Sequence, residues 1–215
     1  MDMQVQVCEI FTSIQGESTW TGMPCFFIRL AGCNLNCAYC DAVYARSGGE
    51  PMAVSTLVDK FRSTGLALAE VTGGEPLLQP GTVPLLQQLQ GVGAVLVETN
   101  GSQDISVIPE GVIAIMDVKC PSSGASGAMD WENVSRLRPR DEVKFVVGDR
   151  NDYEWARQVI RNKQLNRCCH AVLIGTVFNR LNPADLAAWI IEDCLPVRLN
   201  LQVHKSIWPE AERGV

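Results

Sequence analysis

The chain has 215 residues, of which 47% are hydrophobic, with a formal net charge of −6 and nine cysteines. That length fits a single domain, 1–215, with enough apolar surface for a sizeable core. The acidic balance argues against direct nucleic-acid binding, which draws on lysines and arginines that displace counterions, and favours a small-molecule substrate.

In chain order, apolar β-rich runs fall at 25–30, 66–72, 94–98, 112–117, 143–147, 171–174 and 197–203, and helical periodicity at 55–63, 82–90, 152–163 and 183–193. Strands alternating with helices predict an α/β fold with a mostly parallel, curved sheet. The connections 99–111 and 120–130 look too short or irregular for full helices, so the expected architecture is an incomplete, TIM-like barrel with a reduced helical layer. The small-residue segment 122–128 is expected to be a flexible loop over the active site, since ligands collect at the carboxyl ends of parallel strands. The basic groups Arg136, Arg138, Arg140 and Arg157, Arg161, Lys163 are interleaved with acids and read as solvated helix faces.

An odd cysteine count, and an N-terminal segment Met1-Asp2-Met3-Gln4-Val5 with no basic region leading into an apolar stretch, predict reduced thiols in the cytoplasm. The longest apolar runs, 112–116 and 187–191, are far shorter than the roughly 20 residues that cross a bilayer, so no membrane partner is expected.

The most informative motif is Cys33-x3-Cys37-x2-Cys40. A [4Fe–4S] cluster takes four cysteine thiolates, so three leave one iron open to an exogenous ligand. A closed structural zinc site needs four N or S ligands, usually as two spaced pairs, and the nearest histidine is His170. Three more polar clusters follow predicted strands: Thr72-Gly73-Gly74-Glu75-Pro76, Glu98-Thr99-Asn100-Gly101 and Asp117-Val118-Lys119. Paired glycines serve a tight turn as well as close approach to a ligand, Glu75 adds an acceptor, and Asp117 with Lys119 reads equally as a surface ion pair. Their recurrence at one edge points to a site. Arg29 lies inside an apolar strand and needs an anion, either a protein carboxylate such as Glu17 or a substrate group. His204 follows the last apolar run, where it serves as a structural residue or as an acid or carboxylate partner.

Together these motifs resemble the radical S-adenosylmethionine superfamily, in which C-x3-C-x2-C holds the cluster and Gly-Gly-Glu-Pro contacts the methionine part of the cofactor. The opening Ile14-Gln15-Gly16-Glu17 and the closing Gln202-Val203-His204-Lys205 resemble, across nearly the whole chain, the 7-carboxy-7-deazaguanine synthase family. The resemblance implies a carbon–nitrogen lyase that converts 6-carboxy-5,6,7,8-tetrahydropterin to 7-carboxy-7-deazaguanine with release of ammonia, toward the queuosine base of transfer RNA. A 5′-deoxyadenosyl radical would take hydrogen from C6 of the pterin. Cys33, Cys37 and Cys40 would hold the cluster; Ile14, Gln15, Gly16, Arg29, Thr72 and His204 would bind substrate; Tyr39, Cys40, Asp41, Gly74, Glu75, Asp117, Val118 and Lys119 would bind S-adenosylmethionine. It also implies an electron donor such as flavodoxin or ferredoxin, and a homodimer.

One departure concerns magnesium. The family usually places Ser or Thr after Cys-Asp as a magnesium ligand, and this chain has Ala42, which offers no oxygen, so that either a water replaces the hydroxyl on a magnesium ion or the ion is dispensable here. Two rival functions share parts of the pattern: a glycyl-radical-enzyme activase, which acts on a protein backbone, and a non-enzymatic iron–sulfur or zinc binding module. The opening and closing motifs favour the pterin enzyme over the first, and cleavage of S-adenosylmethionine separates it from the second.

Overall fold

The computed structural model describes residues 3–211 and 213–215; Met1 and Asp2, which open the N-terminal segment read above, and Glu212 lie outside the described residues. The chain begins with two strands, β1 (Gln4–Ile14) and β2 (Pro24–Leu30), followed by β3 (Glu50–Ala53) and α1 (Val54–Thr64). It continues through β4 (Leu68–Gly73), α2 (Thr82–Leu89), β5 (Ala94–Thr99), β6 (Ile113–Val118), α3 (Asn133–Arg136) and β7 (Glu142–Val147). The last elements are α4 (Arg150–Asn162), β8 (Ala171–Thr176), α5 (Pro183–Glu192), β9 (Arg198–Leu199) and α6 (Val203–Ile207). The sheet order is β3-β1-β2-β4-β5-β6-β7-β8-β9. β1 runs antiparallel to β2 and β3, and β2 pairs parallel with β4 to begin a run that continues through β9. This is the open, mostly parallel partial barrel that the alternation predicts.

Successive side chains on a strand point to opposite faces, and here the two faces differ in chemistry. Phe26, Ile28 and Leu30 of β2, Val71 of β4, Val97 of β5, Met116 of β6 and Phe145 of β7 join one core with residues of α1, α2 and α4. The opposite face starts with a smaller apolar cluster of Cys25, Phe27, Leu68, Leu96 and Ile115. Two residues further along their strands, Arg29, Glu70, Glu98 and Asp117 face a cavity, joined from β7 by Lys144. Arg29, Glu98 and Asp117 therefore sit at the carboxyl ends of their strands, where parallel α/β folds build ligand sites, with Glu70 and Lys144 at mid-strand beside them. The helices behind them are capped by local chemistry: Asp149 accepts the Asp152 N–H at 3.0 Å to start α4, and Asn182 accepts that of Ala184 at 3.0 Å ahead of α5, with Pro183 in the first turn.

Several elements differ from expectation. β1 and β3 were not among the predicted strands, because β1 mixes exposed glutamines with half-buried residues and never makes an apolar run. The predicted strand 197–203 shrinks to the two residues of β9. Beyond it, Asn200 and Gln202 turn their amides to Glu17, and the Val203 N–H reaches Gly16 O at 3.0 Å, which draws the chain off the sheet and into α6. Segment 122–128 is not a loose loop. It forms two 3-10 turns, the first of them tied down by Ser122, whose N–H donates to Asp152 Oδ1 at 2.9 Å and whose hydroxyl also meets that carboxylate, and by the Ala38 N–H on Ser123 O at 2.9 Å. Hydroxyls on short side chains find such nearby partners readily. The connection 99–111 carries one 3-10 turn, as its irregular sequence implies. Among the described residues, no helix is long and apolar enough to cross a membrane.

Phe61 on α1 is fully buried and stacks on Phe26 of β2 at 5.7 Å between ring centroids, joining the helical layer to the sheet. Phe61→Ala should lower unfolding free energy by about 3–5 kcal/mol, read by denaturant titration, because transfer and cavity terms add. A loss below about 1 kcal/mol would mean that the layer closes over the gap.

Candidate active site

A cavity of about 660 Å³ opens at the carboxyl ends of the strands, within the size range of small-molecule sites. It gathers residues far apart in sequence. Ile14, Gln15 and Gly16 come from the end of β1, Arg29 from β2, and Cys33, Cys37, Tyr39, Cys40 and Asp41 from the segment after β2. Thr72 and Gly74 come from β4 and its turn, Asp117 and Lys119 from β6 and its end, and His204 from α6. Two expected residues do not line it. Val118 points into the outer core, as strand alternation requires. Glu75 is fully buried, and its carboxylate accepts from Leu77 N at 3.0 Å, Thr99 Oγ1 at 2.9 Å and Asn100 N at 2.6 Å. It joins the glycine turn to the end of β5 and offers nothing to a ligand.

The cysteine segment is held by its backbone. Gly32 N donates to Ala45 O at 2.8 Å, Cys33 N to Arg46 O at 3.3 Å, and the Arg46 guanidinium to Cys37 O at 2.7 Å. The Gly-Gly turn braces it from β4. Gly73 has φ of +138° and lies so close to Leu30 that an added Cβ would stand 2.1 Å from its carbonyl oxygen; at Gly74 the obstacle is Gly32 O, also at 2.1 Å. Cys33 Sγ accepts the Leu35 N–H at 3.4 Å and the Asn100 amide at 3.9 Å. Burial pushes the Cys37 thiol above its ordinary range. Among the described residues, no three His, Cys, Asp or Glu side chains close on a single-ion site.

Arg29 resolves one of the alternatives read from the sequence: its protein partner is Glu9, at 2.7 Å from Nε, and not Glu17. Tyr44 donates its hydroxyl to the same Glu9 oxygen at 2.8 Å and, with Phe11, presents a ring to the guanidinium. Glu17 instead belongs to a buried network around Lys144. The lysine ammonium lies 2.9 Å from Glu17 Oε2 and 3.7 Å from Asp117 Oδ2, and also contacts Glu98. Burial raises the Glu17 pKa, but the Lys144 charge together with the hydrogen bonds from Gln202 and Lys144 outweighs it and brings the carboxyl to about 2. Asp117 also pairs with Lys119 at 2.8 Å, well inside the molecule and not on its surface, while its Oδ1 is buried with no hydrogen-bond partner among the described residues.

Gly16 is fixed by its neighbour: a Cβ there would stand 2.0 Å from His204 Nδ1. His204 therefore packs directly on the Gln15-Gly16 turn, in the first turn of α6. Burial lowers its pKa, so it is mainly neutral near pH 7. Tyr39 turns its hydroxyl away, to Val146 O at 3.0 Å. Asp41, exposed at the rim, pairs with Lys205 at 3.2 Å, and the charges of Lys205 and Lys144 lower its pKa to about 2. Glu70, Lys144, Tyr44 and Lys205 also line the cavity and were not singled out from sequence. For Glu70 and Lys144 the available signal was a lone charge at the inward-facing position of an otherwise apolar strand, the same signal that marked Arg29.

No protein-family model matches the chain. It is 43% identical over 228 residues to the 7-carboxy-7-deazaguanine synthase of Koribacter versatilis, covering 98% of this chain and 100% of that protein. It is 41% identical to the Chlorobaculum tepidum protein of the same name, over 98% and 97% of the two chains, and 40% identical to that of Methanospirillum hungatei, over 94% and 85%. Its fold is also that of the crystal structure of QueE from Escherichia coli, with a TM-score of 0.76 at 22% identity over 93% of this chain and 94% of that one. With such identity to several curated relatives along nearly its whole length, the chain belongs to the 7-carboxy-7-deazaguanine synthase family of enzymes.

Proposed function

We propose that the chain, acting as one radical S-adenosylmethionine domain, converts 6-carboxy-5,6,7,8-tetrahydropterin to 7-carboxy-7-deazaguanine with release of ammonia. The observation that carries this reading is one cavity lined by three cysteine thiols and by an interior guanidinium. Cys33, Cys37 and Cys40 fit a [4Fe–4S] cluster with one iron left without a protein thiolate. The N–H groups of Leu35 and Asn100 that reach Cys33 Sγ are the kind of outer partners that steady a ligating thiolate. When bound, the cluster would pass one electron, drawn from a donor such as flavodoxin or ferredoxin, to S-adenosylmethionine, which would supply hydrogen-atom abstraction; the protein supplies placement, dryness and charge.

The orphan Asp117 Oδ1 fits a hydroxyl or ammonium group of S-adenosylmethionine, with Lys119 balancing the aspartate's charge. Tyr39 offers its ring face, since its hydroxyl is committed, and Gly74, pressed against Gly32, presents its backbone to the cofactor. Arg29 keeps Nε on Glu9 and has its two Nη groups for the substrate carboxylate, a fork suited to bidentate pairing. Gln15, Gly16, Thr72 and His204 surround the ring system of the pterin, and a neutral His204 can donate or accept one hydrogen bond. Glu75 takes a positioning part, holding the turn that carries Gly74.

A magnesium ion does not fit the residues present. Ala42 supplies no oxygen, and the adjacent Asp41 is already neutralised by Lys205. Turnover should therefore proceed without added magnesium. Ala42→Thr, which restores a hydroxyl, should introduce magnesium binding in the presence of substrate, measured by metal titration of enzyme with equal cluster content. Tight magnesium dependence of the unmodified enzyme would show that another donor set holds the ion.

Anaerobic turnover with the carboxytetrahydropterin, with the product identified by mass, tests the reaction itself. Single Cys33→Ala, Cys37→Ala and Cys40→Ala changes should each abolish reductive cleavage of S-adenosylmethionine; full iron content and undiminished cleavage in any one of them would remove that residue from the ligand set. Arg29→Ala should weaken the substrate by about 1.5–3 kcal/mol, read as KM or Kd, for one charge-assisted contact, and Arg29→Lys should also be impaired. Unchanged substrate affinity in folded Arg29→Ala would leave Arg29 as the structural partner of Glu9 alone.

A further inference from the structure

Among the interior carboxylates of the half-barrel, Glu70 is set apart by what surrounds it. Glu17, Glu98 and Asp117 all reach the ammonium of Lys144, and Asp117 has Lys119 in addition. Glu70, on β4 and only 2% exposed, makes no ion pair among the described residues; its hydrogen bond runs from Gln15 Nε2 to its Oε2 at 2.5 Å. A buried carboxylate with a neutral amide as its partner is costly to ionise, and the favoured response is to keep the proton. Glu98 and Glu17, the acids that face it from β5 and from the turn after β1, add to that cost, and Lys144 of β7 offsets only part of it.

The hydrogen bonds also decide where that proton sits. The Glu17 N–H donates to Gln15 Oε1 at 2.5 Å, which fixes the glutamine amide with its nitrogen toward Glu70. Glu70 Oε2 is therefore the accepting, carbonyl-type oxygen, and the hydroxyl belongs on Oε1. Oε1 has no protein partner among the described residues, and Glu70 lines the cavity. The result is a neutral O–H donor presented to the ligand beside the Gln15-Gly16 turn.

We propose that Glu70 is a specificity-determining residue that stays protonated in the ligand-free enzyme and donates a hydrogen bond through Oε1 to an acceptor atom of the substrate's nitrogen heterocycle. The proposal rests on the reading of the cavity as a pterin site, whose aminopyrimidinone ring carries ring-nitrogen and exocyclic-oxygen acceptors. A ligand edge with only N–H donors would face an O–H donor and be rejected, since an unpaired buried polar group costs more than a missing attraction. Burial, then Glu98, raises the Glu70 pKa to about 8, which places its titration between that of His204, lowered below the ordinary 6.5, and those of Lys144 and Lys119, raised above 10.5.

Anaerobic calorimetry of cluster-loaded, S-adenosylmethionine-bound enzyme with 6-carboxy-5,6,7,8-tetrahydropterin tests this. Between about pH 7 and about pH 9 the wild type should lose roughly tenfold in affinity, because most of the required protonated form is gone. Glu70→Gln keeps a neutral donor and should bind within about threefold of wild type at about pH 7 with no comparable loss at about pH 9, whereas Glu70→Leu should be about tenfold weaker at pH 7. A wild-type affinity that does not fall with pH, or a Glu70→Gln as weak as Glu70→Leu, overturns the proposal. Denaturant unfolding of the ligand-free proteins gives a second reading. Between the ordinary carboxyl pKa of 4.5 and about 8, the folded Glu70 holds its proton while the unfolded one releases it, so wild-type stability should fall against Glu70→Gln as pH rises. Parallel stability profiles overturn the protonated state. Failure of the wild type to bind the pterin at any pH overturns the functional reading instead, and the stability profiles still decide the charge of Glu70.

Discussion

The ammonium of Lys144 organises this site. It is only 5% exposed, and taking such a charge out of water costs several kcal/mol even after relaxation. The cost is tolerable because carboxylates arrive from three other parts of the sheet: Glu17 beyond β1, Glu98 on β5 and Asp117 on β6. Glu17 in turn accepts the amides of Asn200 at 3.1 Å and Gln202 at 2.8 Å, while Ser18 N reaches Asn200 Oδ1 and Thr19 reaches Glu142. The turn between the first two strands is thus fastened to β7 and to the chain beyond β9, across the mouth of a sheet that never closes by strand pairing. That fastening sets Gln15 and Gly16 against His204. The Glu17 contribution is present above the ordinary carboxyl pKa of 4.5 and disappears as pH falls through about 2, so the mouth is an acid-sensitive part of the fold.

The two faces of the sheet divide the work. The outer face packs Phe26, Ile28, Val71, Val97, Met116 and Phe145 under the helices, and supplies most of the apolar burial. The inner face is apolar only at its base, where Leu68, Leu96 and Ile115 meet Phe27. Above that base, every interior charge must be paired, neutralised or matched by ligand. Arg29 has Glu9, Lys119 has Asp117, and Lys144 has three acids. Glu70 has an amide, and the orphan Oδ1 of Asp117 has nothing within the described protein. A cavity whose polar groups are mostly prearranged and whose exceptions face its interior is one in which ligand contacts can be specific.

The thiols lie on an irregular segment, and its precision comes from backbone contacts. Carbonyls of Ala45 and Arg46 receive the N–H groups of Gly32 and Cys33, and the Arg46 guanidinium reaches Cys37 O. The Gly73-Gly74 turn presses in from β4 at distances that no side chain could tolerate. Glu75, which reads as a ligand contact in the sequence, holds that turn to the end of β5. One motif therefore serves two ends: its glycines let backbones approach, and its acid keeps them there.

Much of this was legible in the residues themselves. Apolar runs separated by helical periods are local patterns, so the parallel strands from β2 to β8 and helices α1, α2, α4 and α5 fall where predicted, within a few residues. The cysteine spacing, the Gly-Gly turn and the lone Arg29 in an apolar run marked the site, because burial of a charge or close approach of a backbone restricts residue type strongly. Partner choice was not legible. That Arg29 takes Glu9, that Glu17 takes Lys144, that Glu75 turns inward and that Glu70 is left without a cation depend on which strands lie side by side and which way each residue faces. Likewise β1, lacking an apolar run, is decided by its antiparallel pairing with β2 and β3, and the end of β9 is drawn off by hydrogen bonds to Glu17 that join segments more than 180 residues apart. A sequence carries the local chemistry of each residue; the pairing of charges across an open barrel is set only when the sheet forms and desolvation forces each one to find its partner.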